Sequence, residues 1–139
     1  MSKPSLWQRG FTLIELMVVV AIIGILMAAG ILAFTNAQQN ARDSRRRADI
    51  DAISKAMEQY YDNNSQAYPT SNAGLSSYFP AGSVPTDPQG AAYNITYGGG
   101  NWCACATLER TGRGNASAGA GGTCTYATNG NLFCASRRQ

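Results

Sequence analysis

Hydropathy divides this chain into an apolar opening and a largely polar remainder. No side chain from Leu16 to Phe34 ionises. At 1.5 Å of rise per residue this run is ~29 Å long, the thickness of a bilayer's hydrocarbon core. Beyond Thr35 good helix formers continue, with no Gly or Pro until after Tyr61. Apolar residues recur there as Ala37, Ala41, Ala48, Ile50, Ile53, Met57 and Tyr60 or Tyr61. The spacing from Ile50 onward is helical. The pattern predicts one helix from Phe11 to about Asp62, roughly 75 Å long. Its first part is apolar all round and needs lipid or copies of itself around it, whereas its second part has a single stripe on which a small domain can pack.

After Tyr61 the residues change to turn formers. Asp62-Asn63-Asn64-Ser65-Gln66 and Tyr68-Pro69-Thr70-Ser71-Asn72-Ala73-Gly74 end the helix, and Val84-Pro85-Thr86-Asp87-Pro88-Gln89-Gly90 predicts a packed loop anchored by Leu75, Tyr78 and Phe79. Strand patterns occupy residues 92–97 and 102–108, separated by the turn Gly98-Gly99-Gly100-Asn101, and recur at 123–127 and 132–135. The Gly, Ala, Ser and Asn stretch from Thr111 to Gly122 is expected to be a flexible connection. The fold class that follows is α+β: a long N-terminal helix whose amphipathic half packs against a small antiparallel sheet of three or four strands.

A lone carboxylate, Glu15, stands at the head of the apolar run. An acid inside a membrane segment costs about 2.5–3.5 kcal/mol on insertion scales, so it calls for a cationic partner or for water at the interface. Lys3 and Arg9 precede the run and keep that end cytoplasmic. No small-x-small site follows a short apolar core, which argues against an ordinary secretory signal.

The string Arg9-Gly10-Phe11-Thr12-Leu13-Ile14-Glu15 resembles the class III signal of type IV prepilins and type II secretion pseudopilins. The resemblance implies a pilin-like fold and cleavage between Gly10 and Phe11 by a prepilin peptidase. It further implies N-methylation of Phe11, and a Glu15 that neutralises the new ammonium of Phe11 on its own or a neighbouring subunit. Four segments follow: a cleaved leader at 1–10, a transmembrane and filament-core helix at 11–35, an amphipathic helix half at 36–62, and at 63–139 the loop and disulfide-stabilised sheet of a globular head. The implied life is that of a single-pass cytoplasmic-membrane precursor, surrounded by lipid, that an inner-membrane assembly platform and its ATPase polymerise into an extracellular homopolymeric filament. Adhesion, motility, DNA uptake and secretion are the roles such filaments serve.

Tyr68-Pro69 and Asp87-Pro88-Gln89-Gly90 followed by Tyr93 also look like the corresponding region of major pseudopilins and some small pilins. One departure is Leu32, where family members often carry a helix-breaking Pro. Gly24 and Gly30 are left as the points at which the backbone can loosen. Gly24 with Ala28, and Ala29 with Ala33, permit close helix approach. The alternative reading is an uncleaved, membrane-tethered adhesive domain that contacts a ligand through Tyr97 and Trp102.

Charge adds little beyond this. Residues 1–10 hold two of the eleven basic residues, so their removal leaves nine against eight acids and a net charge of +1. A polyanionic partner has weak support in that balance. Arg42, Arg45, Arg46 and Arg47 form a basic cluster open to a DNA or lipid-headgroup reading, but Asp43 with Arg47, Arg45 with Asp49, Arg47 with Asp51 and Asp51 with Lys55 share helix-neighbour spacing and predict a charge-compensated surface.

Cys103, Cys105, Cys124 and Cys134 lie in the outward region, where two disulfides would support a thin core. Three pairings are open, and nested hairpins lean toward Cys105 with Cys124 and Cys103 with Cys134. The spacing is a poor zinc pattern. Calcium, which the resemblance raises, meets a single acid, Glu109, beyond Gly90. Neither a metal nor a cofactor is expected. Asn94-Ile95-Thr96 and Asn115-Ala116-Ser117 are glycosylation patterns of low specificity. There is no His, no nucleophile elbow and no phosphate-cradling Gly-rich loop, so enzymatic chemistry is not expected.

Overall fold

The structure, a computed structural model, describes residues 10–137; the leader with Lys3 and Arg9 lies outside the described residues. Helix α1 runs from Leu13 to Asn63, close to the predicted span. The chain divides into two compact units, one ending at Ala37 and the other running from Gln38 onward. Among the described side chains of the first unit, Phe11 just ahead of α1 and Leu13, Ile25 and Phe34 on it are all strongly exposed. The helix is long and apolar enough to cross a membrane.

In the second unit the apolar stripe is the core. Ile50, Ile53, Ala56 and Met57 are buried together with Leu75, Tyr93, Trp102, Ala104 and Ala106. Five antiparallel strands supply the sheet, one more than the upper expectation: β1 (Asn94–Gly98), β2 (Asn101–Thr107), β3 (Gly114–Ala120), β4 (Thr123–Gly130) and β5 (Leu132–Ser136), in the order β1-β2-β5-β3-β4. The added strand is β3, within the stretch expected to be a flexible connection. Its Gly-Asn-Ala-Ser-Ala-Gly-Ala sequence has no β-branched or aromatic residue to signal a strand. It forms because it pairs with β4 and, through Ala116 opposite Leu132, with β5.

Strand β2 explains why small residues are needed there. Side chains alternate across a strand, and on β2 Trp102, Ala104 and Ala106 join the helix-facing core while Cys103 and Cys105 join Ala116 and Cys134 in a second buried cluster. A Cβ on Gly119 would come within 2.6 Å of the Cys105 sulfur and 2.8 Å of the Cys103 sulfur, so a side chain on β3 at that point displaces the cysteines. The β1–β2 turn agrees with expectation: Gly99 and Gly100 have φ of +58° and +76°, as a two-residue hairpin turn with both central residues left-handed requires. Trp102 is fully buried. This removes it from the ligand-contacting surface that the tethered-adhesin reading gave it, because the β2 register turns its ring into the core.

Before the sheet, the chain makes a short 3-10 turn over Asn72–Tyr78 that buries Leu75. The expected loop then folds back on itself. Asp87 N–H donates to the Ala91 carbonyl at 2.8 Å, Gln89 N–H donates to Asp87 Oδ1 at 2.9 Å, and Thr86 bridges to Ala92. This local bonding fixes the direction in which Asp87 points.

Candidate functional site

In the first unit, Thr12 and Glu15 cap each other. Glu15 Oε2 accepts from Thr12 N–H at 2.9 Å and from the Thr12 hydroxyl at 2.8 Å, and Glu15 N–H donates to Thr12 Oγ1 at 3.3 Å. This is the reciprocal capping box that Thr-x-x-Glu forms at a helix start. It satisfies backbone donors that would otherwise stay unpaired in lipid. Gly10 and Phe11 lie just ahead of the helix and are exposed, so the expected scissile bond is outside regular structure. Thr12 escaped the sequence reading. Its signal was available, since Thr three residues before Glu at the start of an apolar run is a capping pattern.

The second unit contains a charged cluster that sequence spacing described wrongly. Of the four predicted i,i+4 pairs only Arg45 with Asp49 is within ion-pair range, at 4.0 Å. Arg46 is instead buried, with 3% of its side chain exposed. Its guanidinium donates to Asp87, to Asp43 at 2.9 Å and to Glu109 at 2.8 Å. Arg42 adds a two-pronged pair to Glu109, both bonds 2.6 Å. Asp43 also accepts the backbone N–H groups of Glu109 and Arg110, at 2.9 and 3.1 Å.

These contacts set the protonation states. Hydrogen bonds from Arg42, then Arg46, hold the Glu109 carboxyl down to about 2 against the desolvation that would raise it. The Arg46 hydrogen bond lowers Asp87 and, in return, Asp87 raises Arg46. The cluster therefore fastens the loop of residues 79–92 and the β2–β3 connection to one side of α1. Partners so far apart in sequence cannot be inferred from local spacing, so Arg46, Asp87 and Glu109 were missed as a unit. Tyr93 adds a further tie, donating its hydroxyl to Asp49 at 2.7 Å.

All four cysteines are bridged, but not in the pairing nested hairpins suggested. Cys103 joins Cys124 and Cys105 joins Cys134. The register gives the reason: Cys105 lies directly opposite Cys134 on the β2–β5 ladder, whereas Cys103 reaches over to β4. The four sulfurs lie within 4.8 Å of one another, and their chemistry here is taken up in S–S bonds. Asn115 uses its side-chain amide as a ladder rung, donating to Cys134 O at 2.9 Å and accepting from Cys134 N–H at 2.7 Å. Its amide nitrogen is thereby engaged in the fold and does not suit the glycosylation its tripeptide suggested.

The family described as "Prokaryotic N-terminal methylation motif" matches residues 8–31, the stretch that contains Gly10, Phe11, Thr12 and Glu15. The type II secretion system core protein G of Escherichia coli (strain K12) is 39% identical over 87 residues, covering 63% of this chain and 58% of that protein. The protein of the same name from Klebsiella pneumoniae is 31% identical over 104 residues, covering 63% of this chain and 74% of that protein. The type IV major pilin protein PilA of Myxococcus xanthus (strain DK1622) is 44% identical over 54 residues, covering 39% of this chain and 24% of that protein. The chain spans a little over half the length of several of these relatives, 58% and 56% in two cases. No solved structure matches it.

Proposed function

This chain belongs to the type IV pilin and type II secretion pseudopilin family, and from that membership we propose that it is a structural, non-enzymatic subunit of a pilus-like filament, held in the cytoplasmic membrane until it is polymerised. The observation that carries the proposal is the first unit's stretch of α1: a helix whose described side chains are exposed, apolar from Leu16 to Phe34, with one carboxylate at its head. Such a surface is stable in lipid or against copies of itself.

Prepilin peptidase cuts after Gly10, Phe11 becomes a methylated N-terminus, and the new ammonium lies four residues from Glu15. Thr12 holds the Glu15 carboxylate at the helix start, with oxygen lone pairs to spare for the ammonium of the same or a neighbouring subunit. In a low-dielectric bundle that pairing is much stronger than in water, and an unpaired Glu15 is correspondingly costly. Moving an apolar helix from lipid to a helix bundle gains little hydrophobic energy. Close packing and the Glu15–Phe11 pair therefore set the register, while the assembly platform and its ATPase supply the work. The head forms the filament's outer layer, and secretion, adhesion, motility or DNA uptake is what the assembled filament serves.

Glu15→Ala tests the proposal. The variant is expected to enter the membrane and acquire both disulfides, yet to leave no filaments in the sheared surface fraction. Wild-type filament yield from Glu15→Ala refutes the pairing mechanism.

A further inference from the structure

Next to the carboxylate-rich cluster lies a pocket with the opposite balance. It has a volume of about 190 Å³ and is lined by Asn40, Asp43, Ser44 and Arg47 of α1 and by Arg110 and Arg113 of the β2–β3 connection. Among the described residues, no carboxylate pairs with Arg47, Arg110 or Arg113, whereas Arg42 and Arg46 are ion-paired with Glu109, Asp87 and Asp43. Asp43 is one acid against three cations in this lining. Its two oxygens are occupied by the Arg46 guanidinium and by the N–H groups of Glu109 and Arg110.

Two of the three cations, Arg47 and Arg110, are held in place by neutral groups, and Arg113 is exposed. Arg47 donates to the Arg113 carbonyl at 2.7 Å and lies over the Phe133 ring at 5.5 Å from its centre, and Arg110 donates to Asn40 Oδ1 at 2.7 Å. The Arg47 Nε is buried without a hydrogen-bond partner. Like charges gathered at one pocket repel one another. Guanidinium groups with unused donors match the oxygens of a phosphate, and Ser44 and Asn40 offer polar contacts beside them.

We propose that this pocket binds the phosphate of an anionic phospholipid headgroup while the chain is held in the membrane; the inference rests on the membrane-anchored reading above. Position favours a lipid as the source of the phosphate. Asn40 is only six positions beyond Phe34, a reach of about 20 Å even fully extended, and the headgroup layer occupies the first ~5–8 Å outside the hydrocarbon core. Geometry disfavours nucleic acid, which gains affinity from repeated phosphate contacts along a groove and from stacked bases. Here one small pocket holds one phosphate and presents no exposed aromatic face. The bound headgroup holds the base of the head at the membrane surface, and polymerisation releases it.

The test uses the full chain inserted in phosphatidylcholine nanodiscs, with and without phosphatidylglycerol, followed by native mass spectrometry of retained lipid. Phosphatidylglycerol is expected to be retained over phosphatidylcholine by about five-fold or more, the worth of one basic residue at an anionic surface. Arg110→Gln with Arg113→Gln, and separately Ser44→Glu, which places a carboxylate in the pocket without removing a cation, are each expected to abolish the preference. Ser44 and Arg113 are exposed and Arg110 is half-buried, and intact disulfides report that the variants fold. Equal retention of the two lipids overturns the inference, as does a preference that survives both variants. Stronger retention of inorganic phosphate or of a short DNA duplex than of phosphatidylglycerol also overturns it, assigning the site to a free anion or to nucleic acid. A chain that inserts in nanodiscs without lipid preference refutes this inference alone; a chain that does not insert refutes the membrane-anchored reading as well.

Discussion

Arg46 Nη1 lies 2.8 Å from Glu109 Oε1 although 63 residues separate them in the chain, and this contact joins the helix to the connection between the second and third strands. Arg46 is the hub, since it also reaches Asp87 and Asp43. Each guanidinium nitrogen of this buried arginine has a carboxylate partner, and its removal leaves several carboxylates facing one another.

Arg46→Met is therefore expected to destabilise the head by about 3–5 kcal/mol, the usual cost of breaking a buried ion pair from one side. The proposed cleavage after Gly10 would take Trp7 with residues 1–10 and leave Trp102 as the sole tryptophan. Denaturant titration of the processed chain in detergent, followed by Trp102 fluorescence, reads the effect. A change below about 1 kcal/mol, the level of an exposed pair, would mean that Arg46 is solvated in solution.

The same cluster predicts acid sensitivity. Glu109 titrates at about 2 when folded against an ordinary value of 4.5, and Asp87 is lowered as well. Because both carboxyls bind protons more readily in the unfolded chain, their contribution is fully present above the unfolded values and is lost as pH falls through the folded ones. Stability is expected to be level near neutrality and to decline from about pH 4.5 toward pH 2. In Glu109→Gln the decline should be shallower. An unchanged pH profile in that variant would remove Glu109 from the account.

The disulfide assignment separates two double variants. Cys103→Ser with Cys124→Ser removes one bridge, leaves Cys105–Cys134 and should cost about 2–4 kcal/mol. Cys103→Ser with Cys134→Ser removes one half of each bridge and should yield two free thiols by maleimide labelling. Complete oxidation of the second variant with native stability would favour the Cys105–Cys124 pairing instead.

Legibility in the sequence followed the range of each interaction. The long helix could be read because its apolar run and its later stripe are local patterns, and Gly99 with Gly100 announced a turn for the same reason. Strand β3 was not readable. Its small residues carry no strand preference and are selected by the sulfur atoms that Gly119 packs against. The basic cluster was misread because i,i+4 spacing says who is near along one helix, while Arg42 and Arg46 were satisfied from Asp87 and Glu109, whose approach depends on the loop and the sheet. Thr12 is legible too, because Thr three residues before Glu at the start of an apolar run is a local capping pattern.

The central claim, that this is a processed filament subunit, is tested most directly by the mass of its amino-terminal peptide in sheared surface material and in membranes from its native cells. The account predicts a chain beginning at N-methylated Phe11 in the sheared fraction. A chain that still begins at Met1 and is confined to the membrane would contradict it and favour the tethered domain.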